Sequence, residues 1–234
     1  MSSFMAELLG TMILILFGDG VVAGVVLNKS KSQNSGWIVI TTAWAIGVAI
    51  PAFIFGGISG AHLNPALTIA LAAIGKFSWS QVPGYIIAQL LGAMIGATLV
   101  WLAYLPHWSE TNDKAGKLSV FCTGPAIRNL PANFLTEVIA TFILVFGVLG
   151  IGIPKVADGI SPLVVGLLIW ALGLAYGGPT GYAMNPARDL GPRIMHAILP
   201  IEGKGESDWD YSWIPVIAPV VGALLGAILF NIVF

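Results

Sequence analysis

The tripeptide Asn-Pro-Ala occurs twice in this chain, at residues 64–66 and 185–187, and each copy lies within predominantly apolar sequence. Asparagine is a favoured helix N-cap and proline suits the first helical position, so each copy predicts the start of a helix. The first N–H groups of a helix have no partner within it, which is costly in hydrocarbon unless they face a polar passage. The duplicated tripeptide therefore predicts two helices that begin inside a membrane, beside a polar path.

The composition is that of an integral membrane protein. Of the 234 residues, 57% are hydrophobic and 9% are charged, whereas roughly 25% of the residues in a soluble domain are charged. The 10 Lys and Arg residues form no basic cluster, which argues against nucleic acid as a partner because phosphate binding needs concentrated positive charge. Cys122 is the only cysteine, so neither an internal disulfide nor a multi-thiolate metal site is available. We expect no metal, no cofactor and a lipid bilayer as the surroundings.

Six stretches are long and apolar enough, or nearly so, to cross a bilayer, for which a helix needs roughly 20 predominantly apolar residues. They are residues 4–27, 36–56, 82–105, 132–153, 160–178 and 211–234. Residues 32–75 contain no Asp, Glu, Lys or Arg, and the glycines at 56, 57 and 60 predict a break followed by re-entry. Residues 64–74 and 185–196 then remain as half-length helices that cannot cross alone.

The two halves of the chain resemble each other. Residues 6–14 and 136–144 share a Glu, a Thr, an Ile and a Leu in the same register, and residues 59–66 and 180–187 share a Gly and the tripeptide. Because each half holds three spans, the second half must enter the membrane with opposite orientation. We predict an all-α membrane protein with an inverted 3+3 repeat. Its first repeat covers residues 1–105, its connecting loop 106–131 and its second repeat 132–234.

Two sequence runs carry a resemblance to a known family. These are Gly60-Ala61-His62-Leu63-Asn64-Pro65-Ala66 and Asn185-Pro186-Ala187-Arg188-Asp189. With the repeat and the number of spans, they resemble the aquaporin, or major intrinsic protein, family and its glycerol facilitator branch over nearly the whole chain. The resemblance implies six transmembrane helices with two re-entrant half-helices. It also implies a homotetramer in the plasma membrane with one pore per subunit, and no enzymatic activity.

The two tripeptides are expected to meet at the pore midplane. There Asn64 and Asn185 cap the half-helices with their side-chain oxygens and leave amide N–H groups free to donate to a passing hydroxyl, while Pro65 and Pro186 begin the helices. The facing positive ends of the two half-helices disfavour cations and protons. Neutral solutes are the expected cargo.

The residues before each tripeptide are expected to run extended and to line the pore with backbone carbonyls, since short non-helical backbone at membrane depth is tolerated where it lines a cavity. His62 is open to a second interpretation, as a metal ligand or base, but the sequence near it holds no second His or Cys, which favours a hydrogen-bonding role. The expected carbonyl-lining residues are Gly60, Ala61, His62, Leu63, Gly181, Tyr182, Ala183 and Met184.

Arg188 is the charged residue expected to mark the solute path, because an arginine in membrane sequence is costly and usually faces such a path. The alternative is an arginine that snorkels to the surface from the end of the half-helix. By resemblance, the narrow selectivity filter of the family combines Arg188 with Trp44, Gly173 and Tyr182. A membrane Trp is otherwise often an interfacial anchor.

The filter composition bears on the subclass. Gly173 is expected to leave space for carbon, and the faces of Trp44 and Tyr182 to contact the CH groups of a polyol while Arg188 binds its hydroxyls. The usual glycerol facilitator has Phe in place of Tyr182, so the added hydroxyl is expected to narrow or polarise the filter.

Four further charged residues are expected to support the pore. Glu7 and Glu137 occupy equivalent repeat positions, and the resemblance implies that they accept hydrogen bonds that fix the extended segments. Asp189 and Arg193 have the i,i+4 spacing of a helical ion pair. Asp19 lies in the first span, and its equivalent in the second repeat is Leu149, so the repeat offers no explanation of it.

The leading functional hypothesis is a passive channel for glycerol and other small neutral solutes that also conducts water and excludes ions and protons. The first alternative is a mainly water-selective channel. A second is a proton-coupled transporter that uses Glu7 and Glu137. An intramembrane serine hydrolase with Ser59 and His62 is disfavoured, because residues 57–60 lack the nucleophile-elbow pattern.

Overall fold

The fold is a bundle of helices, seen in a computed structural model that describes residues 1–154, 157 and 159–234. A short 3₁₀ turn at Trp79–Gln81 leads into the fourth helix. The helices are α1 (Ser3–Val26), α2 (Trp37–Ser59), α3 (Pro65–Ala73), α4 (Val82–Ala103), α5 (His107–Glu110), α6 (Lys114–Phe121), α7 (Leu130–Ile151), α8 (Ile160–Thr180), α9 (Pro186–Ile198) and α10 (Ile214–Val233).

Within the described part of the chain, six helices are long and apolar enough to span a bilayer, namely α1, α2, α4, α7, α8 and α10. This confirms the predicted number of spans. Helices α3 and α9 have 9 and 13 residues, so at 1.5 Å per residue they extend for about 14 Å and about 20 Å, less than the roughly 30 Å of a hydrocarbon core. They are the two half-helices.

The inverted repeat is visible in the way small residues bring helices together. A Cβ on Gly92 of α4 would lie 2.2 Å from the Leu8 carbonyl oxygen of α1, and one on Gly222 of α10 would lie 2.3 Å from the Val138 oxygen of α7. The number of residues between Leu8 and Gly92 equals the number between Val138 and Gly222. Helices α1 and α4 therefore pack as α7 and α10 do, with backbones so close that only glycine fits at these crossings.

The second span is longer than expected. Helix α2 continues through Gly56 and Gly57 to Ser59 and ends where Gly60 adopts a left-handed conformation with φ of 81°. The predicted end near residue 56 was wrong. A glycine inside a helix costs only about 1 kcal/mol, which is less than the cost of leaving backbone groups unpaired in hydrocarbon.

The segment expected to be a connecting loop, residues 106–131, carries α5, α6 and the first residues of α7. Val120 and Phe121 of α6 are fully buried, and α6 packs on α1 and α9. Because this segment is polar, its sequence did not indicate the short helix α6, which covers one end of the bundle.

The close crossing of α1 and α4 generates a stability prediction. We expect Gly92→Ala to lower the stability of the protein by about 1–3 kcal/mol, because the new methyl group must push two backbones apart. Thermal unfolding of the purified protein in detergent measures the effect.

The matched control is Gly84→Ala on the same helix, where, apart from its chain neighbours and the nearby backbone of the helix itself, no atom of the described residues lies within 4 Å of the added Cβ. This control is expected to be neutral or slightly stabilising, since alanine favours helix. Equal melting temperatures for the two variants would contradict the packing argument.

Candidate functional site: a polar path between the half-helices

The two half-helices begin at the same place in the membrane, each with an asparagine as its N-cap. The Asn64 side-chain oxygen accepts from the N–H of Ala66 at 2.9 Å. The Asn185 oxygen accepts from the N–H groups of Ala187 at 3.0 Å and Arg188 at 3.3 Å. Each cap therefore accepts hydrogen bonds from backbone N–H groups that have no partner within the helix, as the sequence predicted.

The two tripeptides are joined by a reciprocal pair of hydrogen bonds. Asn64 Nδ2 donates to the Met184 carbonyl at 2.8 Å, and Asn185 Nδ2 donates to the Leu63 carbonyl at 2.7 Å. An amide NH₂ has two hydrogens, so one hydrogen of each asparagine holds the opposite segment and one is left for a solute. The expectation that both amides are wholly free is corrected accordingly.

The segments before the tripeptides have an unusual backbone. Both Gly60 and Gly181 have φ above 80°, and the non-glycine residues Ala61, Leu63, Tyr182 and Met184 also have positive φ. In a non-glycine residue, a positive φ costs of order 1–3 kcal/mol and persists only when the surroundings enforce it. Within the described residues, the following carbonyl oxygens accept no hydrogen bond: Gly60, Ala61, His62, Gly181, Tyr182 and Ala183.

In the first repeat, the buried carboxylate of Glu7 enforces this backbone. It accepts from the backbone N–H groups of His62 at 2.9 Å and Leu63 at 2.7 Å. The Ser59 hydroxyl and Gln89 Nε2 donate to the same carboxylate at 2.7 Å and 2.8 Å. Two of these four donors are backbone N–H groups of the segment, so the carboxylate holds the N–H side of the segment inward and turns its carbonyls outward.

In the second repeat, Glu137 has the same role. It accepts from the N–H groups of Ala183 and Met184, both at 2.9 Å, and from the Thr180 hydroxyl at 2.6 Å. Glu137 is buried, as Glu7 is. The two halves thus fix their extended segments by the same chemistry.

Two cavities lie along the path and meet at three side chains. The larger cavity, of about 310 Å³, passes both asparagines and the extended segments. The smaller cavity, of about 250 Å³, is bounded by Trp37, Gly181 and residues 122–126. Trp44, Tyr182 and Arg188 line both. We call the boundary between the two cavities, which these three side chains line, the constriction.

Arg188 stacks on an aromatic face at this constriction. Its Cζ atom lies 4.1 Å from the centroid of the Trp44 ring, a favourable cation–π distance. The Trp44 ring in turn packs against Gly18 of α1, where an added Cβ would lie 2.3 Å from it. Trp44 is therefore held inside the protein, 4% exposed, and is not a lipid-facing anchor.

Gly173 acts differently from the expectation that it leaves open space. A Cβ at this position would lie 2.8 Å from Tyr182 Cζ and 2.9 Å from the Thr41 methyl group. The Tyr182 ring occupies the space, so Gly173 sets the position of that ring. Sequence reasoning missed Trp37, whose Nε1 donates to the Gly173 carbonyl at 3.0 Å, and no sequence signal distinguishes it from an interfacial tryptophan.

A fully buried ion pair fixes one wall of the smaller cavity. Asp189 and Arg193, one helical turn apart in α9, are 2.8 Å apart. Asp189 accepts from the N–H and hydroxyl of Thr123 at 2.7 Å and 2.6 Å, and Arg193 donates to the Thr123 carbonyl at 2.8 Å. The pair therefore holds the segment that contains Thr123 against the half-helix.

The C-terminal end of α9 is capped by a lysine from the following loop. Lys204 Nζ donates to the carbonyls of His196, Ala197 and Leu199 at 2.6–2.8 Å. Burial lowers the pKa of Lys204. A cation at this end complements the helix dipole and satisfies carbonyls that the helix leaves unpaired.

His62 lies in the wall of the larger cavity. Its Nδ1 is 3.1 Å from the Thr68 hydroxyl, and its ring packs at 4.8 Å from the Phe77 ring and 5.0 Å from the Tyr85 ring. Among the described residues, no cluster of three potential metal ligands includes it. Its surroundings are those of a packed, hydrogen-bonded histidine.

Asp19 differs from the other two carboxylates of the spans. It is fully buried in α1, next to the glycine that packs on Trp44. Within the part of the chain that the structure describes, neither of its carboxyl oxygens has a hydrogen-bond partner. Burying an unpaired carboxyl group costs several kcal/mol in general.

Comparison with known proteins agrees with this geometry. The profile of the family described as Major intrinsic protein matches residues 1–230. The chain belongs to the major intrinsic protein family. A Thermotoga maritima protein described as a probable glycerol uptake facilitator is 64% identical over 100% of both chains. The glycerol uptake facilitator protein of Bacillus subtilis is 58% identical over 100% of this chain and 85% of its own.

A solved structure of the same family has the same fold. The X-ray structure of the aquaglyceroporin from Plasmodium falciparum matches with a TM-score of 0.86 at 31% identity, over 98% of this chain and 94% of that chain. The predicted fold class and family are confirmed. Proteins of the major intrinsic protein family are channels, so this chain is a multi-pass integral protein of the plasma membrane and not an enzyme.

The unpaired carboxyl group generates a second prediction. We expect Asp19→Val to raise the stability of the protein by about 1–3 kcal/mol, because an apolar side chain removes the cost of an unsatisfied buried group. The measurement is thermal unfolding in detergent.

Glu137→Met serves as the comparison, since Glu137 has three donors that the substitution would leave unpaired. Its stability is expected to fall. A loss of stability in Asp19→Val as large as that in Glu137→Met would show that Asp19 holds the fold together.

Proposed function

We propose that this protein is a passive channel for glycerol and other small neutral solutes, and that it also conducts water and excludes ions and protons. The observation that carries the proposal is the meeting of two cavities at one arginine and two aromatic rings. An opening lined by two aromatic rings and one guanidinium group fits a solute with a carbon backbone and hydroxyl groups. The names of the relatives support the same substrate class.

In the proposed path, a solute moves from one cavity to the other through the filter of Trp44, Tyr182 and Arg188. Gly173 contributes to the filter by setting the position of the Tyr182 ring. The hydroxyls of the solute accept from Arg188 and then donate to the unpaired carbonyls of the extended segments. At the midplane the free amide hydrogens of Asn64 and Asn185 donate to it. Each hydrogen bond to water lost on entry is thus replaced by one to the pore wall.

Exclusion of cations follows from fixed positive charge. The N-termini of α3 and α9 each carry the equivalent of about half an elementary charge, and Arg188 adds a full charge at the constriction. A cation meets repulsion at both points in a medium of low dielectric constant. Protons are excluded with them, because amide donors at the midplane interrupt a continuous chain of hydrogen bonds between water molecules.

The mainly water-selective alternative is tested by vesicle reswelling in a glycerol gradient. Proton-coupled transport is disfavoured by the surroundings of Glu7, whose two oxygens already accept from four donors. A proton on this carboxylate would displace at least one of those bonds. A transporter would show saturable, gradient-dependent flux that is lost in Glu7→Gln.

We also propose, from the family resemblance, that the protein is a homotetramer with one pore in each subunit. Gly92 and Gly96 of α4 and Gly222 and Gly226 of α10 pack within the subunit and are therefore not available for the contact between subunits. Cross-linking or native mass spectrometry in detergent tests the assembly.

The role of Arg188 generates a third prediction. We expect Arg188→Val to conduct glycerol but to leak ions or protons roughly tenfold or more above the unmodified protein, which corresponds to about 1.4 kcal/mol of lost electrostatic barrier. Stopped-flow light scattering of proteoliposomes gives the solute flux, and a pH-sensitive dye inside them gives the proton leak.

Arg128→Gln is the control, because Arg128 pairs with Asp208 at the surface and lies outside the path. It should match the unmodified protein in both assays. An unaltered leak in Arg188→Val would remove this arginine from the barrier, and absence of glycerol flux in the unmodified protein would refute the proposed function itself.

A further inference from the structure

Asp19 is a buried carboxyl group to which the proposed path gives no role. Its side chain is fully buried in α1, and within the described residues neither of its oxygens has a hydrogen-bond partner. Ionisable groups inside a membrane are costly, so they usually pair with one another and mark a solute path. A group of opposite charge is therefore expected near Asp19.

Arg188 is the group of opposite charge near Asp19. Gly18 directly precedes Asp19, and a Cβ on Gly18 would lie 2.3 Å from the Trp44 ring. The Cζ atom of Arg188 lies 4.1 Å from the centroid of the same ring. Val22, one helical turn after Asp19, lines the smaller cavity together with Arg188. The charge of Arg188 is close enough to act on the Asp19 carboxyl group.

The repeat gives an independent reason to pair these two residues. In the other half of the chain, the position equivalent to Asp19 is Leu149 and the position equivalent to Arg188 is Leu67. Leu67 and Leu149 belong to one buried hydrophobic cluster. Because an inverted repeat relates the surroundings of one pair to those of the other, the two positions lie together in both halves. Two apolar residues in one half are thus replaced by two opposite charges in the other.

Arg188 has no other acidic partner among the described residues. Its Nη1 atom is buried without a hydrogen-bond partner, so this atom lies on the side of the guanidinium group away from the path. The ion pairs of the described residues do not include Arg188; they are Lys29 with Glu110, Arg128 with Asp208 and Arg193 with Asp189. Asp19 is not in contact with Arg188 either, so the two act on each other through their charges alone.

An arginine without a counter-charge would make the constriction favourable to anions. A guanidinium group binds an anion more strongly than a neutral hydroxyl, because both partners of the hydrogen bond are then charged. The positive N-terminal ends of α3 and α9 add to this attraction. A channel for neutral solutes therefore needs a negative charge near the arginine but outside the path.

We propose that Asp19 is the buried counter-charge of Arg188, and that it prevents small anions from binding in the constriction or passing through it. The inference rests on the proposed function, whose exclusion of ions it completes. Asp19 is sealed from the path, so it offsets the charge of Arg188 without offering a contact to a cation. Because Asp19 is buried, dissolved salt screens its charge much less than it screens surface charges.

The same arrangement is compatible with the predicted gain of stability in Asp19→Val. The charge of Asp19 acts on Arg188 at a distance, without the hydrogen bonds that would compensate for the burial of a carboxyl group. Residues that serve function often lower stability. Removal of the carboxyl group is therefore expected to stabilise the fold and to weaken the exclusion of anions.

The test measures ion fluxes in proteoliposomes that contain the unmodified protein, Asp19→Asn or Asp19→Leu. Asparagine keeps the shape of the side chain without its charge, and leucine is the residue at the equivalent position of the other half. Chloride and potassium influx are followed with ion-sensitive dyes inside the vesicles, with an ionophore present for the compensating ion. We expect chloride flux to rise about tenfold in both variants, because the charge of Arg188 is no longer offset, whereas potassium flux should not rise.

Glu110→Gln is the matched control, since it removes a carboxylate that pairs with Lys29 at the surface and lines neither cavity. Its chloride flux should equal that of the unmodified protein. Unchanged chloride flux in Asp19→Asn overturns the proposal, because Asp19 then contributes no charge to the constriction. Equal rises in chloride and potassium flux overturn it as well, since a merely loosened pore passes both ions.

Failure of this inference is distinguishable from failure of the proposed function, because glycerol flux is measured in the same vesicles by stopped-flow light scattering. If the unmodified protein conducts glycerol and chloride stays excluded in both Asp19 variants, only the counter-charge is refuted. If the unmodified protein conducts no glycerol, the channel function is refuted. Loss of glycerol flux in both variants would also refute the counter-charge, since the carboxyl group would then be needed to form the pore.

Discussion

The pore depends on two carboxylates that are buried at membrane depth and bonded to backbone N–H groups. Hydrocarbon offers no partner to exposed peptide groups, so a non-helical segment there needs its N–H groups satisfied on one side and a polar path on the other. Glu7 and Glu137 supply the first condition with seven hydrogen bonds between them. These hydrogen bonds account for the strained backbone before each tripeptide, for its outward carbonyls and for the placement of the half-helices.

The reciprocal bonds between the tripeptides join the halves into one unit. Asn64 donates to the carbonyl of the residue before Asn185, and Asn185 donates to the carbonyl of the residue before Asn64. Neither half-helix can therefore move along the membrane normal without breaking a buried hydrogen bond to the other half. Such a bond is expensive to lose where no water replaces it. The midplane is therefore the most rigidly determined part of the path, and the two halves need each other to form it.

Sequence reasoning located the features that depend on local chemistry. The half-helix starts at Asn64 and Asn185 were predictable because capping and hydropathy act over a few residues. The use of one amide hydrogen to hold the opposite segment was not, since it depends on the distance between two loops far apart in the chain. The space beside Gly173 was misjudged for the same reason, because the ring that fills it comes from another element. The end of α2 was placed too early, because glycine is a weaker helix breaker in lipid than in water.

The proposed filter lies where the two halves stop being equivalent. Each filter residue has a counterpart in the other half, at the same distance in sequence from the asparagine of that half's tripeptide. The counterparts of Trp44, Gly173, Tyr182 and Arg188 are, in that order, Val165, Ala52, Ala61 and Leu67. All four counterparts line the larger cavity. Duplication alone would give a pore with two identical apolar entrances, which could exclude by size but not by hydrogen bonding. The arginine, tyrosine and tryptophan of the proposed filter all belong to one of the two positions that the repeat relates, whereas the midplane asparagines are present in both halves. At the related position in the other half the four lining residues are apolar, so their side chains offer a solute no hydrogen bond.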